Sequence, residues 1–155
     1  GYGILSTDIY SNSSAYEAVR LRGGGSSYPM SENNNNPKLD YYEINGLEVW
    51  KQLMKHQPTS IKSALKKANI DIKDVKLFLF HQANLRLIEY LMAKMKLPMN
   101  KTFTNIEKYG NTADASIAIV MSEAFEQKKI KRNDIVVVSG VGAGFTFGTS
   151  VFRWY

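Results

Sequence analysis

Three short stretches carry the residue types that could do chemistry. Residues 81–86 read HQANLR, 109–112 read YGNT and 140–148 read GVGAGFTFG. His81 and Asn111 each offer a neutral N–H donor, and small residues let a backbone amide approach a reacting oxygen closely. Donors of this kind suit negative charge that develops on oxygen during a reaction. Each stretch also has a plain structural reading. A histidine after a strand can be a satisfied core residue, an asparagine before a helix can be an N-cap or turn residue, and the glycines can form a tight strand-to-strand turn. A dinucleotide loop does not fit. From Gly142 the spacing runs Gly-x-Gly-x-x-Phe, and a β-like run follows in place of a helix.

Composition narrows the chemistry further. The chain has 155 residues, enough for one domain with a real core, and its 44% hydrophobic and 22% charged content is that of a globular protein. It has no cysteine, so it carries no disulfide, no thiolate metal site and no cysteine nucleophile. Two histidines, His56 and His81, are too few for a histidine-rich metal site. No window approaches the roughly 18 apolar residues of a membrane helix. The opening GYGILSTDIY lacks the basic start and apolar middle of a signal peptide, so a cytoplasmic protein is expected. The net charge of +6 and pI near 9.4 favour an acidic partner. The lysines are scattered along helix faces without interleaved aromatics, so nucleic acid is not the expected partner.

The elements that must position these residues can be read from periodicity. VKLFLF (75–80) is a continuous apolar run, as expected for a strand buried on both faces, and it delivers His81. NLRLIEYLMAKMKL follows with Leu85, Ile88, Leu91, Met92 and Met95 on one helical stripe. TADASIAIVMSEAFEQKK is helical behind Asn111, with Ile117, Val120, Met121 and Ala124 inward. DIVVVSG and FTFGTSVFRW are strands on either side of the glycine stretch, and the sheet is expected to finish at this last segment. GILSTDIY and TFTNI (102–106) read as further strands. YYEINGLEVWKQLMKHQ and PTSIKSALKKANI read as two helices, the second opening at Pro58. Residues 11–37, with RGGGSSYP and SENNNNP, read as a long surface excursion. Strands alternating with helices indicate a layered α/β fold.

HQANLR, then YGNT with DAS behind it, then GAGFTFG, in this order and at these separations, resemble the C-terminal half of a β-ketoacyl-acyl-carrier-protein synthase III (3-oxoacyl-ACP synthase III), a condensing enzyme of thiolase fold. GILST and NGLEVWK (45–51) extend the resemblance nearly end to end, with 11–37 the weakest stretch. It implies that residues 1–155 form the C-terminal domain, one βαβ-containing half of an αβαβα sandwich. In such enzymes a cysteine of the N-terminal half takes an acyl group from acyl-CoA. Malonyl on acyl carrier protein is then decarboxylated and condensed with it. The resemblance assigns the two thioester-oxygen donors to His81 and Asn111, and the oxyanion backbone amide to Ala143. The helix after His81 is expected to help keep it neutral.

By the same resemblance, Gln82, Ala83, Asn84, Leu85 and Arg86 match the segment that meets the carrier or CoA, with Arg86 its natural phosphate or acidic contact. Asn84 and Gly46 match positions near the pantetheine arm, and Trp50 matches a pocket-lining aromatic. No cofactor or metal is implied beyond the CoA-borne and phosphopantetheine-borne substrates. The implied partners are acyl carrier protein, acyl-CoA, the N-terminal half of the same enzyme and a second copy in a homodimer; nucleic acid and membrane are not among them. Leu47, Phe80, Ala143 and Asp114 depart from common relatives, which points to a divergent member with an unusual acyl group. Without its cysteine half the isolated chain is expected to be inactive. The alternatives are a non-catalytic carrier-binding module and a related thiolase-fold synthase that uses a CoA-bound extender.

Overall fold

The computed structural model describes residues 1–32 and 36–155. Part of the asparagine run read as loop, residues 33–35, lies outside the described residues. Among the described residues, six strands and four α-helices follow one another as β1 (Gly3–Ser11), β2 (Val19–Leu21), β3 (Tyr42–Ile44), α1 (Gly46–Ala68), β4 (Val75–Phe80), α2 (Leu85–Lys94), α3 (Ile106–Tyr109), α4 (Ala115–Glu126), β5 (Ile135–Gly142) and β6 (Thr146–Arg153).

The main sheet has the order β1-β6-β5-β4, with β4 parallel to β5 and the other pairs antiparallel. The C-terminal strand β6 is therefore interior, and β1 and β4 form the edges. Helix α1 covers one face across β1, β6 and β5, α4 packs on the other face at β4, and the rest of that second face is open. Phe78 and Phe80 of β4 pack toward Ile61 and Leu65 of α1 and Ile88 and Leu91 of α2. Leu77 and Leu79 pack on the opposite face with Val120 and Ala124 of α4. A register irregularity between Val75 and Leu77 puts Lys76 outside and restores the alternation beyond it. The apolar run at 75–80 is thus buried on both faces, as its composition demanded. Burying one such Leu or Phe side chain stabilises the fold by about 1.5–3 kcal/mol. No helix among the described residues is long and apolar enough to cross a membrane.

Three expectations need correction. Pro58 does not open a second helix, because α1 runs unbroken through it with Pro58 buried inside. Its apolar face is continuous across the proline, with Met54, Ile61, Ala64 and Leu65 all buried, and that packing outweighs the lost helical hydrogen bond. The Thr59 hydroxyl donates to Lys55 O (3.3 Å) beside the break. TFTNI is not a strand. Only Thr102 bridges β4, at Phe78, and the chain then turns into the short α3. Residues 11–37 are not merely loop, because β2 lies within them and pairs with β3 as an antiparallel ribbon, fastened by Arg20 donating to Glu43 (3.1 Å).

Candidate active site

β4 carries His81 to the rim of the sheet. Beyond the strand end its backbone N–H still donates to Ser139 O of β5 (3.2 Å), which fixes where the side chain starts. The imidazole is half-buried, and its Nδ1 lies 2.5 Å from Ser116 Oγ. Ser116 belongs to the first turn of α4, so the helix start that touches this ring is not that of α2, the helix next in sequence. Burial pushes the His81 pKa below its usual 6.5, while the nearby Asp114 carboxylate pulls in the opposite direction. The balance favours the neutral ring.

Asn111 stands on the exposed loop between α3 and α4. Its Oδ1 accepts from Ala113 N (2.9 Å), an Asx turn that consumes the acceptor of the carboxamide. A backbone N–H needs an oxygen there, so the amide orientation is fixed, and Nδ2, which has no partner among the described residues, is available to donate. Ala143 lies in the turn joining β5 to β6. The left-handed backbone of this turn falls on Gly144 (φ 139°), so the alanine meets no conformational penalty. Reciprocal backbone bonds between Asn12 and Phe145 (2.8 and 2.7 Å) clamp the turn from the β1 side.

These three residues line one cleft of about 500 Å³, together with Gly46, Trp50, Ala83, Asn84 and Arg86. Asn84 caps α2 by accepting from Arg86 N (2.9 Å). Arg86 is exposed and pairs with Glu89 one turn on (2.9 Å). Trp50 meets Tyr90 edge to face, with ring centroids 6.3 Å apart.

Two of the expected contacts stand elsewhere. Gln82 is 1% exposed; its side chain donates to Phe80 O (2.9 Å) and accepts from Asn105 N (3.3 Å). It is an internal brace and has no surface to offer a carrier. Leu85 is half-buried at the start of α2 and does not line the cleft. Several lining residues escaped the sequence reading. Tyr90 lies one helical turn beyond Arg86, a spacing that could have flagged it. Val19 and Ile44 come from the β2–β3 ribbon, whose three-residue strands left no periodic signal.

A broader cleft of about 930 Å³ shares His81, Asn111 and Ala143 and extends along the open face of the sheet. Ile9, Tyr42 and Ile44 line it and are largely exposed. Chemically, the site offers two neutral N–H donors beside a small-residue turn. That set suits an oxyanion, and the chain has no cysteine to serve as a nucleophile beside it.

The family described as 3-oxoacyl-[acyl-carrier-protein (ACP)] synthase III C terminal matches residues 65–154. The beta-ketoacyl-[acyl-carrier-protein] synthase III of Clostridioides difficile is 36% identical over 152 residues, covering 98% of this chain and 46% of that protein. Its counterpart in Fusobacterium nucleatum is 32% identical over 154 residues, covering 99% of this chain and 47% of that protein. The crystal structure of 3-oxoacyl-[acyl-carrier-protein] synthase III from Aquifex aeolicus superposes with a TM-score of 0.84 at 32% identity, over 99% of this chain and 45% of the other. That of the Thermus thermophilus enzyme gives 0.87 at 30% identity, over 100% of this chain and 47% of the other. The chain thus spans about half the length of the relatives it matches. With its motifs, its layered thiolase-like α/β fold and these likenesses in agreement, the chain belongs to the 3-oxoacyl-[acyl-carrier-protein] synthase III family, whose C-terminal half it matches.

Proposed function

We propose that this chain supplies the decarboxylation half of a 3-oxoacyl-ACP synthase III site, acting with a cysteine-bearing segment that is not part of these 155 residues. The substrates on this reading are an acyl-CoA, which loads the cysteine, and malonyl carried on acyl carrier protein. Breaking the bond to the malonyl carboxylate releases CO2 and leaves its electron pair on the thioester as an enolate. His81 and Asn111 donate to the enolate oxygen. The enolate carbon then attacks the acyl-cysteine thioester, the Ala143 amide meets the oxyanion of the resulting tetrahedral intermediate, and the cysteine thiolate leaves.

The observation that carries this reading is the pairing of two uncharged donors on one cleft, with Asn111 Oδ1 already committed to Ala113 N. A neutral imidazole binds an enolate without the fixed charge that would favour the carboxylate ground state, and the burial of His81 keeps it neutral. The exposed Arg86 at the cleft mouth and the +6 net charge suit an acidic carrier with a phosphopantetheine arm. The open sheet face bordered by Ile9, Tyr42 and Ile44 is where a further segment would complete the pocket.

The test is His81→Ala in the complete enzyme. Malonyl decarboxylation is expected to fall by about 10²–10³-fold, while transfer of the acyl group to the cysteine, read by intact mass, continues. Condensation near the wild-type rate in that variant would remove His81 from the mechanism.

A further inference from the structure

We propose that Ser116 is a positioning residue that holds His81 in the tautomer with its ring proton on Nε2. The kinetic side of this inference rests on the decarboxylation reading; the tautomer itself does not. The argument is a count of protons. Ser116 is 2% exposed, and among the described residues its Oγ has two partners. These are His81 Nδ1 at 2.5 Å and the backbone N of Gln82 at 3.3 Å. A backbone N–H can only donate, so Oγ accepts from Gln82. The hydroxyl has one proton left to place, and Nδ1 is the one acceptor within reach.

The reverse assignment fails. If Nδ1 carried the proton and donated to Oγ, the serine proton would be buried with no acceptor, which is costly. A serine in a helix often donates back to its own preceding turn, but Ser116 makes no such bond. With Nδ1 as acceptor, the neutral ring keeps its proton on Nε2. That nitrogen has no protein partner among the described residues, and the ring lines the cleft shared with Asn111.

The surroundings explain why the serine can do this reliably. The backbone of Ser116 donates to Ala113 O (3.1 Å), which seats it in the first turn of α4. The N–H that points at its hydroxyl belongs to Gln82, whose side chain is locked between Phe80 O and Asn105 N. Gln82, expected from sequence to face a carrier, thus acts from inside on the orientation of its neighbour. The Ser116 hydroxyl and the Asn111 Asx turn do equivalent jobs. Each occupies the acceptor of a donor residue, so that only N–H groups remain for the substrate oxygen.

The experiment uses the complete enzyme with selective 15N-histidine labelling, the His81 signals being those lost in His81→Gln. Above the titration of the ring, wild type is expected to show a protonated Nε2 and an unprotonated, hydrogen-bonded Nδ1. In Ser116→Ala the Nδ1 resonance should move toward that of a free pyridine-type nitrogen. Decarboxylation kcat should fall roughly ten- to hundredfold, the range found when a partner that orients a metal-bound histidine is removed, with cysteine acylation unchanged. Ser116→Thr, which keeps the hydroxyl, should return the Nδ1 resonance toward the wild-type position. A proton found on Nδ1 in wild type overturns the proposal by itself, whatever the variants do. So does a Ser116→Ala enzyme whose Nδ1 resonance and kcat are those of wild type. If instead His81→Ala leaves decarboxylation intact, the functional reading falls, and the tautomer assignment is judged on the spectra alone.

Discussion

His81 follows a strand whose neighbours are core, whereas Asn111 stands on an exposed loop between a four-residue helix and α4. The histidine is held by tertiary structure: its backbone by β5, its ring by a buried serine, and the residue before it by the buried Gln82 side chain. The asparagine is held by local geometry. Gly110 before it takes φ 67° and ψ −160°, its own Oδ1 closes the Asx turn, and Ala113 adopts φ 50°. One surface cluster steadies the loop from behind. Glu123 of α4 accepts from Asn105 Nδ2 (2.7 Å), Lys108 Nζ (2.6 Å) and the Tyr109 hydroxyl (2.9 Å). Those bonds, Lys108 first, lower the Glu123 pKa from the ordinary 4.5 to about 2. The clamp's contribution is therefore complete above about 4.5 and is lost only as pH falls toward 2. One site can combine a donor placed by packing with a donor placed by a turn, and the two should fail differently.

The sharpest way to separate them is to remove a donor without disturbing its support. Asn111→Asp keeps the oxygen that accepts from Ala113 N, so the turn survives, but it replaces the NH2 with a carboxylate. Decarboxylation is expected to drop by at least about 10²–10³-fold with little change in thermal midpoint. Asn111→Ala loses the donor and the turn together, so it should be both slow and less stable. Equal thermal midpoints for the two variants would show that the Asx bond does not hold the loop.

The same contrast explains what was legible beforehand. VKLFLF announced a strand buried on both faces because its composition leaves no polar side to expose, and His81 came with it. The three motifs gave the cleft because each sits at a strand end or helix start, where an α/β fold collects functional groups. The ribbon of β2 and β3 was hidden because three-residue strands show no alternation, and what joins them is a cross-strand pairing of Arg20 with Glu43. Pro58 misled because local backbone chemistry was weighed without the continuous apolar face of α1. Gln82 and Ser116 were opaque for a different reason. Ser116 meets His81 across 35 residues of sequence, and no local pattern says which polar side chain will be buried beside another.

A change at the base of the loop should cost less than loss of a donor. Gly110 has open space around the position of a Cβ, so Gly110→Ala tests backbone conformation alone. At φ 67° and ψ −160° a side chain is strained by about 1–3 kcal/mol. The expected result is a lower denaturation midpoint, or a relaxed loop with a rate loss smaller than that of Asn111→Asp. A variant as stable and as fast as wild type would mean that the loop has other ways to present Asn111.

The smallest effect is electrostatic and falls on the histidine side. Burial lowers the His81 pKa below 6.5, and the Asp114 carboxylate partly opposes that. Activity that needs the neutral ring is present at neutral pH and is lost as pH falls through the depressed value. Any stability linked to the ring has the same sign, complete above 6.5 and lost on acidification. Asp114→Asn removes the group that stabilises the charged ring, so the acid limb of the pH–rate profile should move to lower pH. Asp114 is exposed, so at a pH on that limb the variant should be only about 1.5- to 5-fold faster than wild type, with the difference shrinking as salt is added. A limb that moved to higher pH would mean that Asp114 does not act on His81 through its charge, and that the histidine side is set by packing alone.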